Sequence, residues 1–282
     1  EYGLLKPVML AIKKNPKLRL QLIVTGMHLV PEFGYTLREI EHDGFDINAK
    51  VDMMIANDTL SSMAKSVGLG ILGITQALEH LKPDILLVLG DRIEVLASVI
   101  AASIMNIPVA HMGGGQSSGC IDNSIRHAIT EFAHIHFART PLHAERLRKM
   151  GEEGWRIHTV GNVFLDTIFN TDMMPQNEIV KKYSLDLSKP VLLVVFHSDT
   201  LDIKNSIALA KNLCKAIVEL NEQTIFIYPN ADAGGREILR VFKKCADQPK
   251  IRIYKNLPQI EYYSIMKIAS LMLGNSSSGL VE

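Results

Sequence analysis

Between residues 90 and 130 the sequence concentrates side chains that can move protons and hold anions. Gly90-Asp91-Arg92 and His111, the latter followed by Gly113-Gly114-Gly115, each close a short apolar run, and Asp122-Asn123-Ser124-Ile125-Arg126-His127 opens a further segment. A carboxylate at a strand end, Asp91, works as a general acid or base once burial or a neighbouring charge tunes it. The same residue can instead cap a helix beginning Arg92-Ile93-Glu94, with Glu94 completing a capping box, and the residues alone weigh the two readings equally. His111 ahead of three glycines suits a ligand met by backbone N–H groups, with a flexible loop as the alternative. Asp122 or Asn123 is placed to cap a helix on which Arg126 lies one turn on, beside Asp122. His134 and His136 share one face of a strand, but no Cys or carboxylate at ligand spacing accompanies them, which argues against a metal pair.

The second half repeats this pattern. His197 ends the apolar run 191–196, where it can donate to a phosphate or shuttle a proton near neutral pH, or serve as a structural strand-end histidine. Tyr228-Pro229-Asn230-Ala231-Asp232-Ala233-Gly234-Gly235-Arg236 joins a strand to a helix and can hold a phosphate or ribose. Gly274-Asn275-Ser276-Ser277-Ser278-Gly279 follows the last strand, and hydroxyls with N–H groups at a helix start favour an anion over a plain Ser/Gly turn. Glu282, one turn after Ser278, shares that mouth and suits ribose hydroxyls.

Alternating strands and helices must position these groups. Apolar runs at 18–25, 85–89, 107–111, 134–138 and 157–160 read as strands, with helices at 60–81 and 92–105 and another capped by Thr140 that runs through Leu147. A composition break at 170–190 reads as a linker. Beyond it, strands at 191–196, 224–228, 251–254 and 271–273 alternate with helices at 205–220, 234–244 and 260–269. The expected organisation is an N-terminal Rossmann-like domain over 1–170 with its first strand missing, a linker at 171–190, and an incomplete C-terminal nucleotide-binding domain over 191–282. The fold class is α/β, two Rossmann-like domains facing a cleft, and parallel strands place their polar C-terminal ends where such sheets bind ligands. No GxGxxG accompanies a strand, which argues against a dehydrogenase.

Composition narrows the class further. Thirty Lys and Arg balance thirty Asp and Glu across 282 residues, so no bulk positive field recommends a nucleic-acid or membrane partner. Three cysteines without CxxC spacing fit a reducing, cytoplasmic setting better than a disulfide framework or a zinc site. A start without Met and an end one turn into a new helix read as a fragment lacking both termini.

Together, Glu1-Tyr2-Gly3-Leu4-Leu5, Thr25-Gly26-Met27-His28-Leu29, Gly90-Asp91-Arg92, Ser124-Ile125-Arg126-His127-Ala128-Ile129-Thr130, the 228–235 loop and Gly274-Asn275-Ser276-Ser277-Ser278-Gly279 resemble the hydrolysing UDP-N-acetylglucosamine 2-epimerases of sialic-acid-type biosynthesis over nearly the whole chain. The resemblance implies a glycosyltransferase-B-like architecture, a UDP-sugar substrate, a homo-oligomer (a dimer or a dimer of dimers), and no metal or other cofactor. It implies loss of the C2 proton with anti-elimination of UDP, then hydration of the glycal to N-acetylmannosamine. By position it makes Asp91 and Asp122 the acid/base pair and His197 the contact to the departing diphosphate. Ser276, Ser277, Ser278 and Gly279 would take phosphate and Glu282 ribose. His111, Arg126, Asn230, Asp232 and Arg236 would line the substrate. Where the family usually carries Glu or His, two glycines and Glu after the strand-end His-Ile, this chain has Gly113-Gly114-Gly115-Gln116, and Asn123 replaces a common acid. Those substitutions define an alternative, a catalytically impaired homologue that binds UDP-sugar in a regulatory or structural role.

Overall fold

A computed structural model describes residues 2–281. The chain divides into two compact units, the first comprising 1–30, 35–56 and 61–167, the second 31–34, 57–60 and 168–282.

In the first unit, α1 (Tyr2–Lys14), β1 (Ile23–Thr25), α2 (Leu37–His42) and β2 (Ala49–Val51) precede α3 (Leu60–Leu81), β3 (Leu86–Leu89), α4 (Ile93–Ile104), β4 (Val109–Met112), α5 (Ile121–Phe132), β5 (Ile135–Ala138), α6 (Pro141–Met150), β6 (Ile157–Thr159) and α7 (Val163–Asn170). Strands β3-β4-β5-β6 form a parallel sheet in chain order, and β1 pairs in parallel with β2. All four β4 residues are buried, as expected of a strand covered on both faces. Helices α3, α4 and α5 close one core with Ile74, Leu78, Ala97, Val99 and Ile129 around Val88 and Val109. Thr140 caps α6 as its sequence position predicts, its hydroxyl accepting from the His143 N–H at 3.3 Å.

The second unit contains α8 (Gln176–Tyr183), β7 (Val191–Val195), α9 (Ile203–Leu220), β8 (Gln223–Ile227), α10 (Gly235–Cys245), β9 (Ile251–Tyr254), α11 (Gln259–Ile268), β10 (Leu271–Gly274) and α12 (Ser278–Val281). Its parallel sheet runs β10-β7-β8-β9. Alternation along β7 sends Val194 into a core with Phe226 of β8, Ile217 of α9 and Phe242 of α10, and Val191, Leu193 and Val195 into another with Ile179, Tyr183 and Ile265 from α8 and α11. Each such buried side chain contributes about 1.5–3 kcal/mol, so both faces must be covered for β7 to stay central. The stretch 171–190 read as linker holds α8, whose Ile179 and Tyr183 belong to this core. Among the described residues no helix is long and apolar enough to cross a membrane.

At Gly274, which ends β10, φ is +138° and a Cβ would lie 1.9 Å from the Val195 carbonyl oxygen, so only glycine permits the approach of β10 to β7. Asn275 extends the join. The His197 N–H donates to its side-chain oxygen at 2.8 Å, and its amide nitrogen donates to the His197 carbonyl at 2.9 Å.

Candidate functional site

Asp91 leaves β3 through Gly90, whose φ of +85° turns the chain at the strand end. Its carboxylate accepts from the Arg126 guanidinium on α5, and Arg126 also reaches the Gln116 carbonyl and the Ser118 hydroxyl, both at 3.4 Å. Arg126 is 5% exposed, so this is a desolvated ion pair that fixes where the carboxylate points. Asp91 does not cap α4: Arg92 occupies the cap position, and no side chain caps that end. Asp122 stands in the first turn of α5, where a carboxylate meets the positive end of the helix, four residues before Arg126. Asn123 does not cap α5; Cys120 holds that position, and Asn123 accepts from the Ser118 N–H at 3.0 Å instead, tying down the loop.

His111, which the sequence places at the end of β4, is buried. The ring is 0% exposed, and its Nε2–H donates to the Gly90 carbonyl at 2.8 Å. Burial, reinforced by the charges of His136, Arg126 and Arg139, pushes its pKa down to about 4 against the opposing bond to Gly90. His111 is thus a neutral strut that holds the turn presenting Asp91. Its register neighbour His136 is also fully buried, donating to Glu152 at 2.8 Å. His134 uses Nδ1 to accept from the Val109 N–H at 3.2 Å. The histidine pair therefore has structural partners, and among the described residues no group of three His, Cys, Asp or Glu could hold a metal ion.

In the second unit, His197 follows β7, and its Nδ1 accepts from the Asn230 N–H at 3.2 Å. That bond places the neutral ring's proton on Nε2, the form able to donate to a phosphate oxygen. Asn230 and the buried Asp232 bond to each other, the amide nitrogen donating to the carboxylate at 2.6 Å. Ser276 and Ser278 are joined through hydroxyls at 3.3 Å, and Ser278 also meets the Tyr262 hydroxyl. Ser277 and Gly279 are exposed beside them. Glu282 lies outside the described residues.

Arg236 is engaged at the start of α10. Its guanidinium donates to Glu32 from Nε at 3.1 Å and from Nη2 at 2.6 Å, a two-point pair that raises its pKa. Asp58 accepts from the N–H groups of Gly234 and Arg236 at 2.7 and 2.9 Å. The start of α10 is thus supplied with an internal anion, and Arg236 ties its loop to Glu32. Glu32 and Asp58 carry no local motif that would have flagged them.

Two Rossmann-like units, each with parallel strands whose C-terminal ends carry the polar groups, define a protein of glycosyltransferase-B-like architecture. Consistent with that class, the fold matches a UDP-GlcNAc 2-epimerase from Neisseria meningitidis, solved bound to UDP-GlcNAc, with TM-score 0.76 at 18% identity over 97% of this chain and 74% of that one. The chain belongs to the UDP-N-acetylglucosamine 2-epimerase family, whose model matches residues 10–282. Among its relatives are a UDP-N,N'-diacetylbacillosamine 2-epimerase (hydrolyzing) from Legionella pneumophila and a GDP/UDP-N,N'-diacetylbacillosamine 2-epimerase (hydrolyzing) from Campylobacter jejuni. Both are 37% identical over 100% of this chain, covering 75% and 74% of their own lengths.

Proposed function

We propose that this chain is a hydrolysing 2-epimerase of a UDP-2-acetamido sugar. The observation that carries the reading is the Asp91–Arg126 pair, with Asp91 presented by the turn that His111 braces and Asp122 one helical turn before Arg126. Asp91 and Asp122 take the two proton transfers: removal of the C2 proton as the C1–O bond breaks and UDP leaves, then protonation of C2 from the opposite face as water adds oxygen to C1. UDP and the C2-inverted free sugar are the products. His197 donates from Nε2 to the departing diphosphate, lowering the energy of the charge that develops there. Ser276, Ser277, Ser278 and Gly279 hold phosphate, Asn230 and Asp232 shape the nucleotide side, and Glu282 holds ribose.

Substrate choice follows the relatives. Those at 37% identity are named for N,N'-diacetylbacillosamine, whereas a Neisseria meningitidis relative at 30% is named for N-acetylglucosamine. UDP-N,N'-diacetylbacillosamine is therefore the first substrate to offer and UDP-N-acetylglucosamine, which would yield N-acetylmannosamine, the second. Incubation with each, reading UDP and free sugar, tests the reading; no release from either would sink it. The enzyme is proposed to work as a cytoplasmic homodimer, checked by light scattering and fractionation.

A second reading is favoured by Gly113, Gln116 and Asn123, uncharged residues at positions where the family pattern commonly has ionisable ones. It describes a homologue that binds UDP-sugar without turning it over. Calorimetric UDP binding with no product would favour it; steady turnover would remove it.

A further inference from the structure

In the first unit, one face of α6 holds the glycine loop that follows β4. His143, Arg146 and Leu147 share that face, being three and four residues apart. Arg146 Nη1 donates to the Gly115 carbonyl at 3.0 Å. Gly115 is buried with φ of +77°, and a Cβ there would lie 2.3 Å from the His143 carbonyl oxygen. A Cβ on Gly114 would come to 3.3 Å from Leu147 Cδ2, His111 Nδ1 and the Thr130 hydroxyl. The loop is thus seated between α6 on one side and His111 with Thr130 on the other. Further along, Asn123 ties the Ser118 N–H, and the Gln116 side chain, with its amide oxygen turned inward, accepts from Arg139.

This loop in turn sets Arg126. Nη1 of Arg126 donates to the Gln116 carbonyl and to the Ser118 hydroxyl, both at 3.4 Å and both on the loop, while Nη2 meets Asp91. Contacts of that length lie at the far end of hydrogen-bond range, so a loop shift of about half an ångström strands Nη1. In a side chain only 5% exposed, a donor left without a partner is costly. The guanidinium must then turn to find another acceptor, and it takes the Asp91 carboxylate with it.

We propose that Arg146 is a positioning residue for proton transfer by Asp91, acting through the Gly115 carbonyl, the loop and Arg126. The inference rests on the acid/base reading of Asp91 given above. Its structural half, that Arg146 sets the Asp91–Arg126 pair, can be read without any turnover.

The test uses the full chain and three variants. Arg146→Met keeps the apolar stem and removes the donor, and Arg146→Lys restores one donor, which is all a single bond to the Gly115 carbonyl needs. Gly115→Ala displaces the loop from the His143 carbonyl without altering Arg146. UDP release from UDP-N,N'-diacetylbacillosamine and UDP-N-acetylglucosamine is followed alongside the Arg126 Nε–H resonance, identified by its loss in Arg126→Lys. Arg126 Nε is buried, so its proton exchanges slowly with water while the guanidinium is held. Arg146→Met and Gly115→Ala are expected to lower kcat about tenfold to a hundredfold, the cost of misplacing a catalytic group by about 1 Å, with KM within about threefold of wild type. Both should shift the Arg126 resonance and speed its exchange, and Arg146→Lys should restore rate and resonance together. No UDP release by the wild type, with the resonance still moved in Arg146→Met and restored in Arg146→Lys, would keep the positioning and remove the functional reading. An Arg126 resonance unmoved in Arg146→Met, or a rise in KM at unchanged kcat, overturns the proposal. So does an equal loss in Arg146→Met and Arg146→Lys.

Discussion

His111 makes a quantitative claim about acid stability. Its ring is fully buried, and protonation would place a second charge near Arg126 and Arg139. The folded pKa is about 4 against an ordinary value of 6.5. The unfolded chain therefore binds this proton more readily than the native one, and acidification favours unfolding. His111 costs nothing above pH 6.5, and the penalty grows as pH falls from 6.5 through 4. At about 1.36 kcal/mol per pH unit it reaches about 3 kcal/mol near pH 4. His111→Asn keeps a donor for the Gly90 carbonyl but cannot titrate. Urea unfolding followed by circular dichroism from pH 4 to 7.5 should show the wild type losing stability faster than the variant, with the two curves parallel above pH 7. Subtracting the curves cancels the carboxylates and the other histidines common to both. Parallel curves throughout, or a folded-state His111 resonance titrating near pH 6.5, would refute the reasoning.

Three further outcomes follow from other contacts. Asp91→Asn should slow UDP release about 100- to 10,000-fold, as loss of a general acid or base does, while calorimetry finds UDP binding within a few-fold of wild type. Gly274→Ala drives a Cβ into the Val195 carbonyl and should cost about 3 kcal/mol or more in thermal unfolding of the second unit. Thr140→Ala removes the α6 cap and should cost about 1 kcal/mol in the first unit, read by urea titration.

The strands were legible because parallel strands covered on both faces must be continuous apolar runs. Val191 to Val195 announces its burial this way, and α3 takes the bounds Leu60–Leu81 that its amphipathic period marks. Short elements left no such trace. Strand β2 is three residues with an exposed Lys50 at its centre, and α8 places only Ile179 and Tyr183 in the core, too few for a period to emerge. Candidate site residues were visible by type and position at strand ends, but their partners were not. Asp91 reads equally as cap or catalyst, and nothing near it in sequence announces Arg126, 35 positions away, which takes its carboxylate. For His111 the sequence reports the strand end and not the burial of the ring. Arg236 gives no local sign of its bond to Glu32, which stands 204 positions earlier.

That last pairing bears on how the second unit can be handled and how it can change. A piece expressed from residue 168 onward would lack 31–34 and 57–60, and with them both carboxylates that serve the start of α10. Two backbone N–H groups and a guanidinium would then need solvent anions in their place, so such a piece should be salt-sensitive in a way the whole chain is not. In sequence drift, positions 32, 58 and 236 should vary together, since a charge lost at one strands its counterpart at another.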